Sequence, residues 1–203
     1  MAPRVVDKAA KKEYILQAAM KVFAQQGFGK TKMIDIATEA GIGKGTIYEY
    51  FSSKDEIFSN AYTYFIQGLE QEFTKAITET EDPADKIIAI INATVEGIVA
   101  SADFVAIMLD FWAEGIRNHN HDEMNQLLDM KKMYSTYRTI LVQIIEEGIA
   151  KGVFRKVDPI SAASIIIGAL DGIMLQWYME PDLIEMDKIT ETLISMFKAA
   201  LKS

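Results

Sequence analysis

AGIGKGTIYEYFSSKDE, Ala40 to Glu56, brings together turn-forming glycines, lysines, two tyrosines and a helix-opening Ser-x-x-Glu. So tight a corner, followed at once by a short helix carrying hydroxyls, phenols and ammonium groups, suits the phosphate edge and major groove of a duplex. The flanking sequence decides whether three helices surround that corner.

Upstream, Ile15, Ala18, Ala19, Val22 and Phe23 form one apolar stripe at helical spacing, and Gly27 closes that helix. Phe28 turns back to pack. Thr31 is the expected N-cap of a second helix whose apolar positions are Met33, Ile34, Ile36, Ala37 and Ala40. Gly41 ends it, with Ile42 plugging the turn. A short third helix over 44–51 turns Ile47 and Phe51 inward and Gly45 and Glu49 outward. Ser53-Lys54-Asp55-Glu56 is a capping box opening a fourth helix to about Thr78.

Three short helices with this corner are a helix-turn-helix over about 32–51. Lys44 and Lys54 have the charge to neutralise phosphates, and Thr46, Tyr48 and Tyr50 the hydroxyls to donate to phosphate oxygens. Gly45 lets a backbone approach DNA closely. The starts of the second helix (Thr31, Lys32) and the fourth (Ser53, Lys54) offer N–H groups and positive dipole ends as flanking clamps.

From about Tyr14 to Tyr62 the chain resembles the N-terminal domain of the TetR family of one-component transcriptional regulators. The ordered elements are G-F, T-x-x-x-I-A, A-G-I, K-G-T-I-Y-x-Y-F and S-K-x-E-I-F. The resemblance implies an all-α protein of about nine helices: a DNA-binding domain over 1–52 and a variable effector-binding and dimerisation domain over 53–203. It also implies that Thr31, Lys32, Lys44, Thr46, Tyr48, Tyr50 and Lys54 touch DNA, mostly its backbone. Gly43 stands where a capping Ser is common, and Lys32 replaces a frequent Thr or Ser. Glu49 faces the groove, where it either accepts from a cytosine amino group or repels phosphates.

Charge follows the same division. The 203 residues carry a net charge of −8, split as nine Lys+Arg against six Asp+Glu in residues 1–55 (+3) and twelve against twenty-three in 56–203 (−11). The basic quarter meets a polyanion while the acidic remainder is held away. The absence of cysteine excludes disulfides and thiolate chemistry. With no apolar secretory run near the N-terminus, the expected location is the cytoplasm.

Asp82-Pro83 and Asp158-Pro159 each announce a helix, since proline tolerates the first helical position. Helices are expected at about 84–100, 103–117 and 122–151, with a last one after Pro181. Residues 160–179 are long and apolar enough to span a bilayer, but Asp171 at mid-span favours a soluble helix buried on two sides. That helix and the one at about 184–201, with Leu183, Ile184, Ile189, Leu193, Ile194, Phe197 and Leu201, are the expected homodimer interface.

Phe104, Met108, Phe111, Trp112, Met130, Met133, Tyr134, Tyr137, Met174, Trp177 and Tyr178 recur at helical spacing. They serve either as bundle core or as the walls of a pocket for a small hydrophobic effector. Asp110 and Glu114 are its candidate polar anchors. His119 and His121, with Asp122, are too sparse for a metal site, and no cofactor is expected. Neither histidine has a Glu three residues before it, as di-iron bundles require, and no phosphate-binding glycine loop is present, so an enzyme is disfavoured. The expected function is a ligand-responsive repressor that binds a palindromic operator as a homodimer and is released by its effector. The alternative is a helical small-molecule sensor or scaffold without DNA binding.

Overall fold

The computed structural model describes residues 8–100, 102–117 and 130–201, except for the side chains at 65, 69, 76, 102–104, 111, 114–117 and 130. Among the described residues there are nine helices and no strand: α1 Lys8–Gln26, α2 Met33–Glu39, α3 Lys44–Tyr48, α4 Lys54–Thr78, α5 Pro83–Ala100, α6 Ala102–Arg117, α7 Met130–Ala150, α8 Pro159–Met179 and α9 Met186–Leu201. The chain packs as two units, one of residues 1–66 and 106–129, the other of 67–105 and 130–203. Helices α4 and α6 contribute residues to both.

The first unit forms around the α1 stripe. Ile15, Ala19 and Phe23 of α1, Ile36 and Ala37 of α2, Ile47 of α3, Ile57 and Phe58 of α4, and Phe51 of the intervening turn are all buried, with Phe23 edge-on to Phe58 at 5.2 Å. Phe28 joins them, its ring centroid 4.1 Å from Phe58 and 5.8 Å from Phe23. The corner after α2 is a Schellman turn: Gly41 N–H donates to Thr38 O at 3.0 Å and Ile42 N–H to Ala37 O at 2.9 Å. Gly41 holds φ +58° there, a conformation that a side chain would strain.

Three local expectations shift. The N-cap of α2 is Lys32, not Thr31: the Thr31 hydroxyl donates to Gly27 O at 2.8 Å, and the Asp35 carboxylate instead accepts the Lys32 N–H at 2.8 Å. Helix α3 ends at Tyr48 rather than Phe51, because Glu49 and Tyr50 donate to carbonyls three residues back. This tighter turn still brings Phe51 inside, 1% exposed. Helix α9 starts at Met186, two residues late, because Leu183 and Ile184 N–H both close on Glu180 O in a turn.

In the second unit α5, α7, α8 and α9 enclose a core of Ile87, Ile91, Leu141, Ile145, Ile166, Leu170 and Phe197. Both Asp-Pro starts behave as caps. Asp82 Oδ1 accepts from Ala84 N–H at 2.8 Å, and Asp158 Oδ1 from Ser161 N–H at 2.8 Å. The Ser161 contacts hold the Asp158 carboxyl below the usual range. At its C-terminus α9 is tied to the preceding chain by Arg155, whose N–H donates to Leu201 O at 2.9 Å and whose Nε donates to Ala200 O. A cation beside the last carbonyls also complements the helix dipole.

Helix α8 is long and apolar enough to cross a membrane, yet only 28% of its apolar window is buried within the chain. Its inner residues, Ala163, Ile166, Ile167, Leu170, Ile173 and Met174, belong to the core. Ile165 (71% exposed), Leu175 (37%) and Met179 (70%) lie on the outer side.

Candidate nucleic-acid interface

The short α3 divides cleanly by exposure. Ile47 is fully buried, whereas Lys44, Gly45, Tyr48 and Glu49 are exposed, Tyr48 to 48%. Thr46 and Tyr50 are half-buried. Apart from its own stretch of helix, no described residue comes within 4 Å of the position a Gly45 Cβ would take, so the backbone is open on that side. Lys32, at the start of α2, is also exposed. These residues form a wet surface of cations, hydroxyls and bare backbone, the chemistry that duplex phosphates and groove edges require.

Two of the expected contact residues are directed elsewhere. Thr31 is 2% exposed, its hydroxyl on Gly27 O. The Lys54 ammonium donates to Phe28 O at 2.7 Å and lies 4.2 Å from the centre of the Phe28 ring. At the start of α4, Ser53 Oγ accepts the Glu56 N–H at 3.0 Å, as a capping box requires. Glu56, however, takes the N–H and hydroxyl of Ser52, at 2.7 and 2.6 Å, rather than a group of Ser53. The Ser52 hydroxyl, then its N–H, hold the Glu56 carboxyl low against the opposing effect of burial, with help from the Lys12 charge.

Sequence reasoning placed Asp110 as an effector anchor; in the structure its Oδ2 accepts the Phe28 N–H at 2.7 Å. The partners are 82 residues apart, and no local pattern announces the pair. Asp171, singled out only for its charge, accepts from Tyr134 Oη at 3.0 Å. Burial pushes its carboxyl up, with the Tyr134 bond acting the other way.

The eleven candidate effector residues fall in both units. Met108 and Trp112 belong to the first; Met133, Tyr134, Tyr137, Met174, Trp177 and Tyr178 belong to the second. Met108, Met133 and Met174 are buried and Tyr178 is 44% exposed. Tyr137 packs edge-on against Phe73, centroids 5.2 Å apart, and so serves the core as well. Trp112 Nε1 is buried with no hydrogen-bond partner among the described residues. The side chains of Phe104, Phe111, Met130 and Glu114, and all of His119, His121 and Asp122, lie outside the described residues.

Comparison with known proteins agrees with this geometry. Residues 15–61 match the model of bacterial regulatory proteins of the tetR family, and residues 83–202 match that of the BetI-type transcriptional repressor C-terminal domain. The HTH-type transcriptional repressor KstR2 of Rhodococcus jostii is 23% identical over 196 residues, 97% of this chain and 93% of that protein. A transcriptional regulator of Saccharomonospora viridis, solved with choline, superposes with a TM-score of 0.85 at 19% identity, over 96% of this chain and 99% of the other. The regulator FadR of Bacillus subtilis, solved with stearoyl-CoA, gives 0.77 at 22% identity, over 91% and 96%. With the helix-turn-helix matched by one model and more than half of the chain by the other, the protein belongs to the tetR family of bacterial transcriptional regulators and carries a C-terminal domain of the BetI type.

Proposed function

We propose that two copies of the chain pair through α8 and α9, present two α3 helices to a palindromic operator in the cytoplasm, and repress transcription until a small, largely apolar effector releases them. The observation that carries the DNA reading is the division of α3, with Ile47 fully buried and Lys44, Gly45, Tyr48 and Glu49 in solvent. One such module makes few contacts, and pairing over two half-sites about one helical turn apart supplies the rest. The outer side of α8, with Ile165, Leu175 and Met179, and Met196 of α9 (65% exposed), is the apolar surface a second copy would cover.

The effector reading rests on Trp112. Its buried indole N–H has no acceptor among the described residues, which is costly, and a ligand oxygen would satisfy it. The effector is therefore an apolar molecule bearing a hydrogen-bond acceptor. Proteins of this fold hold ligands as different as choline and stearoyl-CoA, so the fold leaves room for either small or extended molecules.

Selection of bound sequences from a random duplex pool tests the whole reading. The expected product is an inverted repeat whose retention falls steeply with salt. Recovery of unenriched sequence at low salt would leave the sensor or scaffold alternative in its place.

A further inference from the structure

We infer that Asp110 is a positioning residue for DNA binding, acting through the Phe28 peptide, and that Lys54 is its counterpart in that brace rather than a phosphate ligand. The inference rests on the DNA-binding reading and adds residues that touch no DNA.

Every backbone polar group of Gly27 and Phe28 has a partner inside the first unit. Gly27 N–H donates to Phe23 O at 2.8 Å. Gly27 O accepts the Thr31 hydroxyl at 2.8 Å and the Thr31 N–H at 3.3 Å. Phe28 N–H goes to Asp110 Oδ2 at 2.7 Å, and Phe28 O accepts from Lys54 Nζ at 2.7 Å. The carboxylate thus faces the electropositive group of Phe28 and the ammonium its electronegative one. Both bonds are charge-assisted and correspondingly short. The Phe28 ring, with Lys54 at 4.2 Å and Phe58 at 4.1 Å, fixes the residue from its third side.

This turn joins α1 to α2, and the residue closing it, Thr31, immediately precedes the exposed Lys32 and the N-terminus of α2. Lys54 begins α4. One residue, Phe28, therefore links the approach to α2 with the start of α4, and Asp110 of α6 is the group that holds its N–H. Asp110 also lies 3.6 Å from where a Gly27 Cβ would be, so the contact is close as well as polar. Withdrawing the carboxylate frees the Phe28 N–H, loosens the turn and lets the DNA-facing ends of α2 and α4 drift apart. Trp112, whose buried Nε1 has no acceptor among the described residues, stands two residues after Asp110 on the same helix. A displacement of α6 there reaches Phe28 directly.

The test uses the full chain and the selected operator, with affinity measured over a salt series. Asp110→Ala and Lys54→Met are each expected to weaken binding by about tenfold with the salt slope unchanged, and the double variant to be no weaker than the weaker single one. Asp110→Asn, whose amide oxygen still accepts, is expected to stay within about threefold of wild type. Faster hydrogen exchange at the Phe28 amide should accompany Asp110→Ala. Lys44→Ala, by contrast, should flatten the slope by about 0.9. Wild-type affinity in Asp110→Ala alongside a weakened Lys44→Ala would overturn the inference and leave the DNA reading intact. A slope loss of about 0.9 in Lys54→Met would overturn it too, by returning Lys54 to a phosphate. If Asp110→Ala does not fold, Lys54→Met carries the same decision: wild-type operator affinity in that variant would overturn the inference. Absence of operator binding by wild type would defeat the DNA reading itself.

Discussion

The Tyr134 phenol donates to the Asp171 carboxylate over 3.0 Å, a polar link between α7 and α8 at the edge of an aliphatic core. Burial raises the Asp171 carboxyl above the ordinary range. A carboxyl whose folded pKa exceeds its unfolded one binds its proton more tightly when folded. Its ionisation therefore removes stability as pH rises from the ordinary carboxylate range through the raised value. Asp171→Asn keeps an acceptor for Tyr134 and removes the charge. The melting temperature is expected to rise by about 2 °C at neutral pH, with no gain below the carboxylate range, in calorimetric scans. A lower melting temperature at neutral pH would contradict this account.

On the surface proposed to face DNA, Tyr48 and Lys44 separate by mechanism. Tyr48→Phe removes a hydroxyl donor and should cost about fivefold in operator affinity while leaving the salt slope unchanged. Lys44→Ala should lower affinity and slope together. Fluorescence anisotropy with labelled operator at several salt concentrations distinguishes the two.

Ile165 is 71% exposed on the outer side of α8. Ile165→Asp places a charge on the surface proposed to face the second copy, where it would be buried without a partner. Sedimentation is expected to show monomers at concentrations where the wild type pairs, with helix content unchanged and operator affinity down by at least about a hundredfold. A wild-type sedimentation coefficient in this variant would move the interface elsewhere.

A Cβ at Gly148 would overlap the Phe154 ring, which covers this turn of α7. Phe154 is itself held edge-on against Phe197 at 6.0 Å and has little room to yield. Gly148→Ala is expected to cost about 1–3 kcal/mol in urea unfolding, despite alanine's better helix propensity. A neutral outcome would mean that the Phe154 ring can leave its place at little cost.

What could be read beforehand depended on how far apart the partners are. Gly41, the α1 stripe and the two Asp-Pro starts act within a few residues of themselves, and periodicity or cap chemistry reports them. Lys44, Gly45 and Tyr48 were legible because a short helix with Ile47 inside leaves those positions outside. Thr31 and Lys54 were assigned outward because hydroxyls and ammonium groups usually prefer water. Their acceptors, Gly27 O and Phe28 O, are backbone groups that sequence does not display. Asp110 required a partner 82 residues away, a distance at which no helical spacing helps.

Gly45 leaves a vacancy of another kind. Among the described residues nothing outside its own helix comes within 4 Å of a Cβ placed there, and glycine is a poor helix former, so a side chain installed there would meet no neighbour and would firm up α3. Such a side chain would arrive on the surface proposed to face the duplex. On the proposed reading, a single codon change at Gly45 would exchange close backbone approach for a side-chain contact with the operator while leaving the fold undisturbed, a low barrier for duplicated copies diverging toward different promoters.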